Sequence, residues 1–226
     1  MSKKGFIFDL DGVIVDTAKY HFLAWQKLAK GLGIDFNESQ NEHLKGVSRK
    51  RSLEKILEWG NMTLDKDKFE VLMAKKNDDY LQYIEKMDEK EILPDVMKIL
   101  NHLRNRNIPF ALGSASKNAR SILKEVNLLH VFNAVIDGND VSKAKPDPEV
   151  FLIAAEKLKL EPQECIVFED SLAGIQAANT AGMLSIGIGK KNILSEADYV
   201  FSDFTEISTN FIDELIKNES RLYKTR

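Results

Sequence analysis

Phe6-Ile7-Phe8-Asp9-Leu10-Asp11-Gly12 runs three apolar residues directly into two carboxylates and a glycine. A short, unbroken apolar run reads as a strand buried on both faces, as in a parallel sheet. Runs of the same kind recur at 109–112, 134–136, 165–168, 184–188 and 199–201. Between them lie apolar residues at helical spacing: Val96, Ile99, Leu100 and Leu103, then Ile122, Leu123 and Val126, then Val150, Phe151, Ala154, Ala155 and Leu158. Strand alternating with helix predicts an α/β fold, a Rossmann-like open parallel sheet with helices on both faces.

The first connection departs from this rhythm, because the stretch between Leu10 and Pro109 is far too long for one crossover and is mostly amphipathic helix in pattern. Residues 16–91 therefore read as an inserted helical cap domain, with 1–15 and 92–226 forming the core. The expected cap stripes are Tyr20, Leu23, Lys27 and Leu28, then Leu53, Ile56 and Leu57. The two chain crossings, near 15–17 and 87–91, are the expected hinges. A length of 226 residues suits one core domain with a smaller insertion. Neither internal repeats nor low-complexity tracts interrupt it, and the polar tail 218–226 is expected to fray.

With 43% hydrophobic and 30% charged residues the composition is that of an ordinary globular protein, which excludes disordered and fibrous classes. A formal charge of -3 gives no electrostatic reason to expect nucleic acid or a membrane as partner. The single cysteine, Cys165, cannot form an intramolecular disulfide. It lies in the apolar run Cys165-Ile166-Val167-Phe168 without an electropositive neighbour, so it reads as a buried structural thiol. The apolar stretch after Lys4 is interrupted by Asp9 and Asp11, unlike a signal peptide or membrane span. A cytoplasmic monomer is the expectation.

Ligands of open α/β sheets bind beyond the carboxyl ends of the strands, so the residues that follow each run matter most. Asp9 and Asp11 follow the first; Gly113-Ser114-Ala115-Ser116-Lys117-Asn118 follows the second; Glu169-Asp170-Ser171 follows the fourth. Four carboxylates meeting at one edge repel unless a cation sits among them, and an oxygen-only set favours magnesium over zinc. Lys145, with the hydroxyl and amides of Ser114 and Ala115, can neutralise the remaining charge of a phosphoryl group. In an extended segment Asp9 and Asp11 project to the same side, one able to attack phosphorus and the other to shuttle a proton. Each element has an ordinary reading too. Asp-x-Asp-Gly occurs in turns and calcium loops, 114–118 resembles a helix N-cap, Glu169-Asp170-Ser171 suits a helix start, and Lys145-Pro146-Asp147-Pro148 suits a solvated loop. Their succession, each after its own strand, favours the chemical reading.

These residues resemble the four ordered motifs of the haloacid dehalogenase superfamily of phosphotransferases: Asp9 to Gly12, Ser114, Lys145, and Glu169 with Asp170. The resemblance implies Asp9 as nucleophile and magnesium ligand, and Asp11 as acid/base whose backbone carbonyl also binds the metal. It implies Glu169 and Asp170 as the rest of the metal site, and Ser114 and Lys145 as the phosphate grip. Within that superfamily the insertion is similar to the hexose-phosphate mutases, which interconvert β-glucose 1-phosphate and glucose 6-phosphate through a bound β-glucose 1,6-bisphosphate. The matching stretches are Asp16-Thr17-Ala18-Lys19-Tyr20-His21-Phe22, Leu44-Lys45-Gly46-Val47-Ser48-Arg49, Lys76-Asn77-Asp78 and 114–118. By that likeness Arg49, Ser116, Lys117 and Asn118 grip the second phosphate, while Thr17, His21, Lys45, Gly46, Val47, Ser52 and Lys76 line the sugar and position the acid/base. Val15 departs from a threonine in the mutases' first motif, and Gly113 from an alanine-like position; neither carries an assigned role.

A sugar bisphosphate carries two groups of about -1.5 to -2 charge each, so a mutase needs two cationic cradles where a phosphatase needs one. Lys145 and Arg49 suit those posts, although an arginine in Ser48-Arg49-Lys50-Arg51 is ordinarily a solvated helix start. Thr17 and His21 stand four apart, on one helical face toward Asp11. Trp25 shares that face and so borders the substrate side, while packing is the plainer role for it and for Trp59. A sugar-phosphate phosphatase of the same superfamily is the alternative reading. A non-catalytic sugar-phosphate sensor has no use for an attacking carboxylate, and dehalogenase chemistry has none for the magnesium carboxylates or Asp11.

Overall fold

Alternation along the strands distributes the apolar runs between two layers of core. The computed structural model describes residues 4–44 and 47–217. In it β1 (Gly5–Phe8), β2 (Phe110–Gly113), β3 (Ala134–Ile136), β4 (Cys165–Glu169), β5 (Leu184–Ile188) and β6 (Tyr199–Phe201) form one sheet in the order β3-β2-β1-β4-β5-β6. Every pairing is parallel, with Phe8 opposite Leu112 on one side and Phe168 on the other. Phe6, Phe8, Phe110, Leu112, Ile166 and Phe168 face one layer. Ile7, Ala111, Cys165 and Val167 face the other, and the free Cys165 thiol is buried there as expected. The six runs legible in sequence are the six strands.

Helices cover both faces. α5 (Val96–Asn105), α6 (Ala119–Glu125) and α9 (Thr209–Lys217) pack on the phenylalanine side, where Phe8 stacks on Phe168 with ring centroids 4.9 Å apart. α7 (Glu149–Leu158) and α8 (Leu172–Thr180) cover the other side through Phe151 and a set of alanines, the small alanine side chains admitting close approach. His102 of α5 and Arg106, just past its end, clasp Asp213 of α9 at 2.7 and 2.5 Å. The order places the topological switch between β1 and β4, where the crevice of such sheets opens.

The β1 to β2 connection carries α1 (Ala18–Gly31), α2 (Glu38–Glu42), α3 (Arg49–Trp59) and α4 (Lys66–Ile84). Their apolar faces form a separate cluster built on Trp25, Leu28, Phe36, Leu53, Ile56 and Leu57. The two chain crossings run side by side: Val15 bridges both Asp11 and Ile92, and the Asp16 amide donates to the Glu91 carbonyl at 3.3 Å. Glu91 also accepts from Lys19 at 2.6 Å and Tyr20 at 2.8 Å.

The α1 stripe is rotated from its expected position. Ala24, Trp25, Leu28 and Ala29 are buried, whereas Leu23 is 39% exposed and Lys27 is solvated, its ammonium paired with Asp79 at 2.6 Å. The cause is packing of α1 on α4, which selects the Trp25 side and leaves the amphipathic Lys27 stem along the rim. Trp59 stacks on Phe36 but stays 37% exposed, an edge rather than a centre of packing. The tail 218–226 lies outside the described residues. Among the described residues no helix is long and apolar enough to cross a membrane.

Phe8→Ala removes a fully buried ring from the central strand, so it is expected to cost about 3–5 kcal/mol of stability. Urea unfolding measures this, and a loss below about 1 kcal/mol, the ordinary effect of a point substitution, would contradict the central place given to the stack.

Candidate active site

The strand ends put their polar residues within bonding distance of one another. Asp9 continues the β1–β4 pairing, its amide donating to the Phe168 carbonyl at 2.9 Å, and is only 5% exposed. Lys145 Nζ donates to Asp9 Oδ1 at 2.5 Å, to Glu169 Oε2 at 2.7 Å and to the Gly113 carbonyl at 3.2 Å. Burial works against the Lys145 charge, yet Asp9 and Glu169 outweigh it and hold the ammonium well above the usual lysine range. Burial pushes Asp9 up to about 7, against the pull of Lys145 and helped by the Glu169 charge.

Asp9, Glu169 and Asp170 each offer an oxygen, all within 4.8 Å of one another. An oxygen-only trio with excess negative charge fits a divalent cation such as magnesium. Local backbone is shaped to allow it. Gly12 has φ +80°, and a Cβ there would lie 2.2 Å from Asp170 Oδ2. A Cβ on Gly174, in the first turn of α8, would lie 2.0 Å from Glu169 Cδ. Ser171 caps α8 by accepting from the Gly174 amide at 3.1 Å and donates its hydroxyl to Glu169 Oε1 at 2.6 Å. Both Glu169 oxygens are thus engaged by protein groups.

Asp11 takes a different environment two residues on. Its amide donates to Asp9 Oδ2 at 3.0 Å, while its carboxylate turns away from the trio to accept from the Thr17 hydroxyl. Burial raises its pKa and the Thr17 hydrogen bond opposes the rise. Thr17 and His21 share the α1 face expected of them, and His21 Nδ1 lies 2.9 Å from Lys76 Nζ. Lys76 is 1% exposed, and its ammonium stands 4.6 Å from the ring centres of both Trp25 and Tyr80. Burial, then Lys76 and Arg49, hold His21 well below the usual histidine range, so it stays neutral at pH 7. Arg49, half-buried at the start of α3, is lowered by burial and senses Asp78 and Tyr80. Ser52 is buried one turn further along α3.

On the core side Ser114 is buried, its amide donating to the Ile136 carbonyl at 3.0 Å and its Oγ accepting from the Ser116 amide at 3.1 Å. Ala115 and Lys117 are exposed at the rim; Ser116 and Asn118 are half-buried. Asn118 Nδ2 reaches Asn77 Oδ1 of α4 at 3.0 Å, joining this turn to the inserted helices near Asp78. Among the described groups no direct hydrogen bond or ion pair links Arg49 to 116–118; their common neighbour is α4. Val47 is half-buried, and Lys45 and Gly46 lie outside the described residues.

Sequence reasoning missed three supports. Ser171 orients Glu169, Asp137 braces the 114–118 turn through Asn139 and Gly138, and Tyr80 lies beside His21. The Glu169-Asp170-Ser171 run, read as helix-start chemistry, held the signal for the first. The others need tertiary contacts to be seen.

Burial, reinforced by Arg49, lowers Lys76 from 10.5 to about 7. Below about pH 7 both folded and unfolded chains carry its proton; between there and 10.5 only the unfolded chain does, so this group's destabilising effect fades as pH rises. Lys76→Met should therefore raise stability most near neutral pH and progressively less toward alkaline pH. Urea midpoints of the two proteins at about pH 6 and about pH 9 test the sign, and a stability gain that grows with pH would contradict it.

Comparison with known proteins agrees with this geometry. The model of the haloacid dehalogenase-like hydrolase family matches residues 3–182. β-Phosphoglucomutase of Bacillus subtilis (strain 168) is 40% identical over 225 residues, 99% of this chain and 98% of that protein. Fructose-1-phosphate phosphatase of Escherichia coli (strain K12) is 32% identical over 184 residues, 81% of this chain and 95% of that protein. A crystal structure of β-phosphoglucomutase from Clostridium difficile aligns with a TM-score of 0.89 at 39% identity, covering 95% of this chain and 97% of that one. By its ordered motifs, its sheet and these matches, the chain belongs to the haloacid dehalogenase-like hydrolase family.

Proposed function

We propose that this enzyme interconverts β-D-glucose 1-phosphate and glucose 6-phosphate, the β-phosphoglucomutase reaction, through a phosphorylated Asp9 and a β-glucose 1,6-bisphosphate intermediate. The carrying observation is the presence of two cationic centres on two sides of one aspartate pair. Lys145 holds Asp9, while Arg49 and Lys76 lie on the Asp11 side with His21 kept neutral. The likeness to two β-phosphoglucomutases over nearly the whole chain supports the same reading.

In the first half-reaction the 6-hydroxyl of β-glucose 1-phosphate attacks the phosphorus of phospho-Asp9. Asp11 accepts the hydroxyl proton, and the Asp9–phosphorus bond breaks to return the carboxylate. The bisphosphate then reorients. Asp9 attacks the 1-phosphoryl phosphorus, and Asp11 returns its proton to the departing C1 oxygen, which restores phospho-Asp9 and releases glucose 6-phosphate. Lys145 and the Ser114 hydroxyl hold the transferring group; Arg49, with Ser116, Lys117 and Asn118, holds the other phosphate. Asp9, Asp170 and the Asp11 carbonyl would hold magnesium, with Glu169 beside them; when bound it supplies charge stabilisation to the phosphoryl oxygens.

Residues 16–91 act as the cap, swinging on the paired crossings at Val15 and Glu91, and its closure keeps water from phospho-Asp9. Thr17, His21, Trp25, Ser52, Lys76 and the stretch from Lys45 through Val47 border the sugar. We take the enzyme to work as a cytoplasmic monomer. The second reading, a sugar-phosphate phosphatase, has the Escherichia coli relative in its favour and shares the core chemistry.

The deciding experiment supplies magnesium, β-glucose 1-phosphate and trace bisphosphate, and compares glucose 6-phosphate with free phosphate. Glucose 6-phosphate is expected to dominate; dominant free phosphate would favour the phosphatase. Asp9→Asn should reduce turnover by at least about 10³-fold with the melting curve retained, and substantial residual activity would exclude covalent catalysis at this position. Arg49→Ala should depress mutase flux by about 10²-fold or more while sparing hydrolysis of small phosphoesters, since only the bisphosphate needs the second cradle. Equal loss of both activities would remove that role from Arg49.

A further inference from the structure

Arg120, the second residue of α6, has no part in the reaction above, yet its guanidinium fastens the loop that follows β3. Its Nε lies 3.0 Å from Asp137 Oδ2, and its Nη2 donates to Asp140 Oδ2 at 2.9 Å and to the Val135 carbonyl at 2.7 Å. The same Asp140 oxygen accepts from the Asp137 amide at 2.9 Å, and Asp137 Oδ1 accepts from the Asn139 amide at 2.7 Å. Asp137 is 1% exposed, and both of its carboxylate oxygens are engaged. The planar fork of an arginine meets these acceptors together, which the single ammonium of a lysine does not.

The loop so fastened is pressed against the 114–118 turn. The Gly138 amide donates to the Ser116 carbonyl at 3.1 Å, and Asn139 Nδ2 donates to the Lys117 carbonyl at 3.0 Å. These two bonds fix the peptide planes on both sides of Lys117. A Cβ on Gly138 would lie 2.4 Å from the Ala115 carbonyl oxygen and 3.0 Å from Lys117 Cγ, so the approach leaves no room for a side chain. Asp137 also brings a buried negative charge close to a turn proposed to hold an anion, and the Arg120 charge offsets it.

We propose that Arg120, acting through Asp137, is a positioning residue for the grip on the second phosphate: it locks the 137–140 loop, and that loop sets the 116–118 turn to which the phosphate binds. The role asks neither residue to touch the substrate or to exchange a proton. This inference rests on the mutase reading, in which Ser116, Lys117 and Asn118 hold the phosphate that is not being transferred.

The test compares wild type, Arg120→Met, Gly138→Ala and the double variant Arg120→Met with Asp137→Asn. The last two disturb the loop without leaving a buried Asp137 charge unpaired. In conversion of β-glucose 1-phosphate with bisphosphate primer, each variant should raise KM about tenfold while kcat at saturation stays within about twofold, the pattern of binding lost equally in ground and transition states. Phosphate release from acetyl phosphate, which has no second phosphate to grip, should remain within about twofold of wild type. A wild-type KM in the folded variants, or an equal loss on acetyl phosphate, would overturn the proposal. Loss of the melting transition in all three variants would do so too, since the network would then serve folding alone. Calorimetric titration of β-glucose 1,6-bisphosphate into the same variants carrying Asp9→Asn, against Asp9→Asn alone, should show about tenfold weaker binding. Wild-type protein that releases phosphate but makes no glucose 6-phosphate would overturn the mutase reading, and the titration would still decide the place of Arg120, an unchanged affinity overturning it.

Discussion

A lysine ammonium sealed between two carboxylates organises the catalytic edge. Lys145 is buried with Asp9 and Glu169, each within 2.7 Å, and removing any one of the three would leave an uncompensated charge in a low-dielectric site. The rest of the edge serves that arrangement. Parallel pairing of β1 with β4 sets the aspartate and glutamate side by side, and Ser171 ties back the second Glu169 oxygen. Gly12 and Gly174 give up side chains so that the carboxylates can pack against backbone. Three carboxylates against one ammonium leave two negative charges in excess, the deficit that a divalent cation removes.

The inserted helices show the opposite imbalance. Among the described residues Lys76 is buried without a carboxylate paired to it, set between aromatic rings and a neutral His21, with Arg49 acting on it from α3. Such a site is unfavourable on its own and becomes favourable when an anion enters. Asp11 and Thr17 lie where the surplus of positive charge meets the surplus of negative charge, and a sugar carrying phosphate at both ends satisfies both. In the proposed mutase cycle, the electrostatic cost of each half, taken alone, favours closure around a bisphosphate.

Much of this was legible in sequence because the fold depends on patterns with a short period. The six apolar runs became six strands, and the residues after the first, second and fourth came together at one edge, since strand direction in a parallel sheet puts the carboxyl ends on one side. The α5, α6 and α7 stripes matched their buried faces for the same reason. The α1 stripe did not. Tyr20, Leu23 and Lys27 satisfy helical spacing as well as Ala24 and Trp25 do, and only the placement of α4 chooses between the two faces. Asp137 and Tyr80 escaped notice on a related ground: each acts on neighbours brought close by tertiary packing, whereas Ser171 stands in the Glu169-Asp170-Ser171 run, where it reads only as a helix start.

The division of labour between Asp9 and Asp11 follows from what surrounds each carboxylate. Burial raises both. Asp9, however, is in direct contact with an ammonium and borders the candidate cation site, and a bound divalent ion would draw its pKa down and keep it ionised, as the proposed attack on phosphorus requires. Asp11 is in contact with a hydroxyl in place of an ammonium, and burial raises its pKa against that hydrogen bond, which suits it to carry a proton. Two identical side chains, two positions apart on one strand end, thus meet different partners, an ammonium beside a cation site and a hydroxyl, and in the proposed cycle that difference suits one to attack and the other to carry the proton.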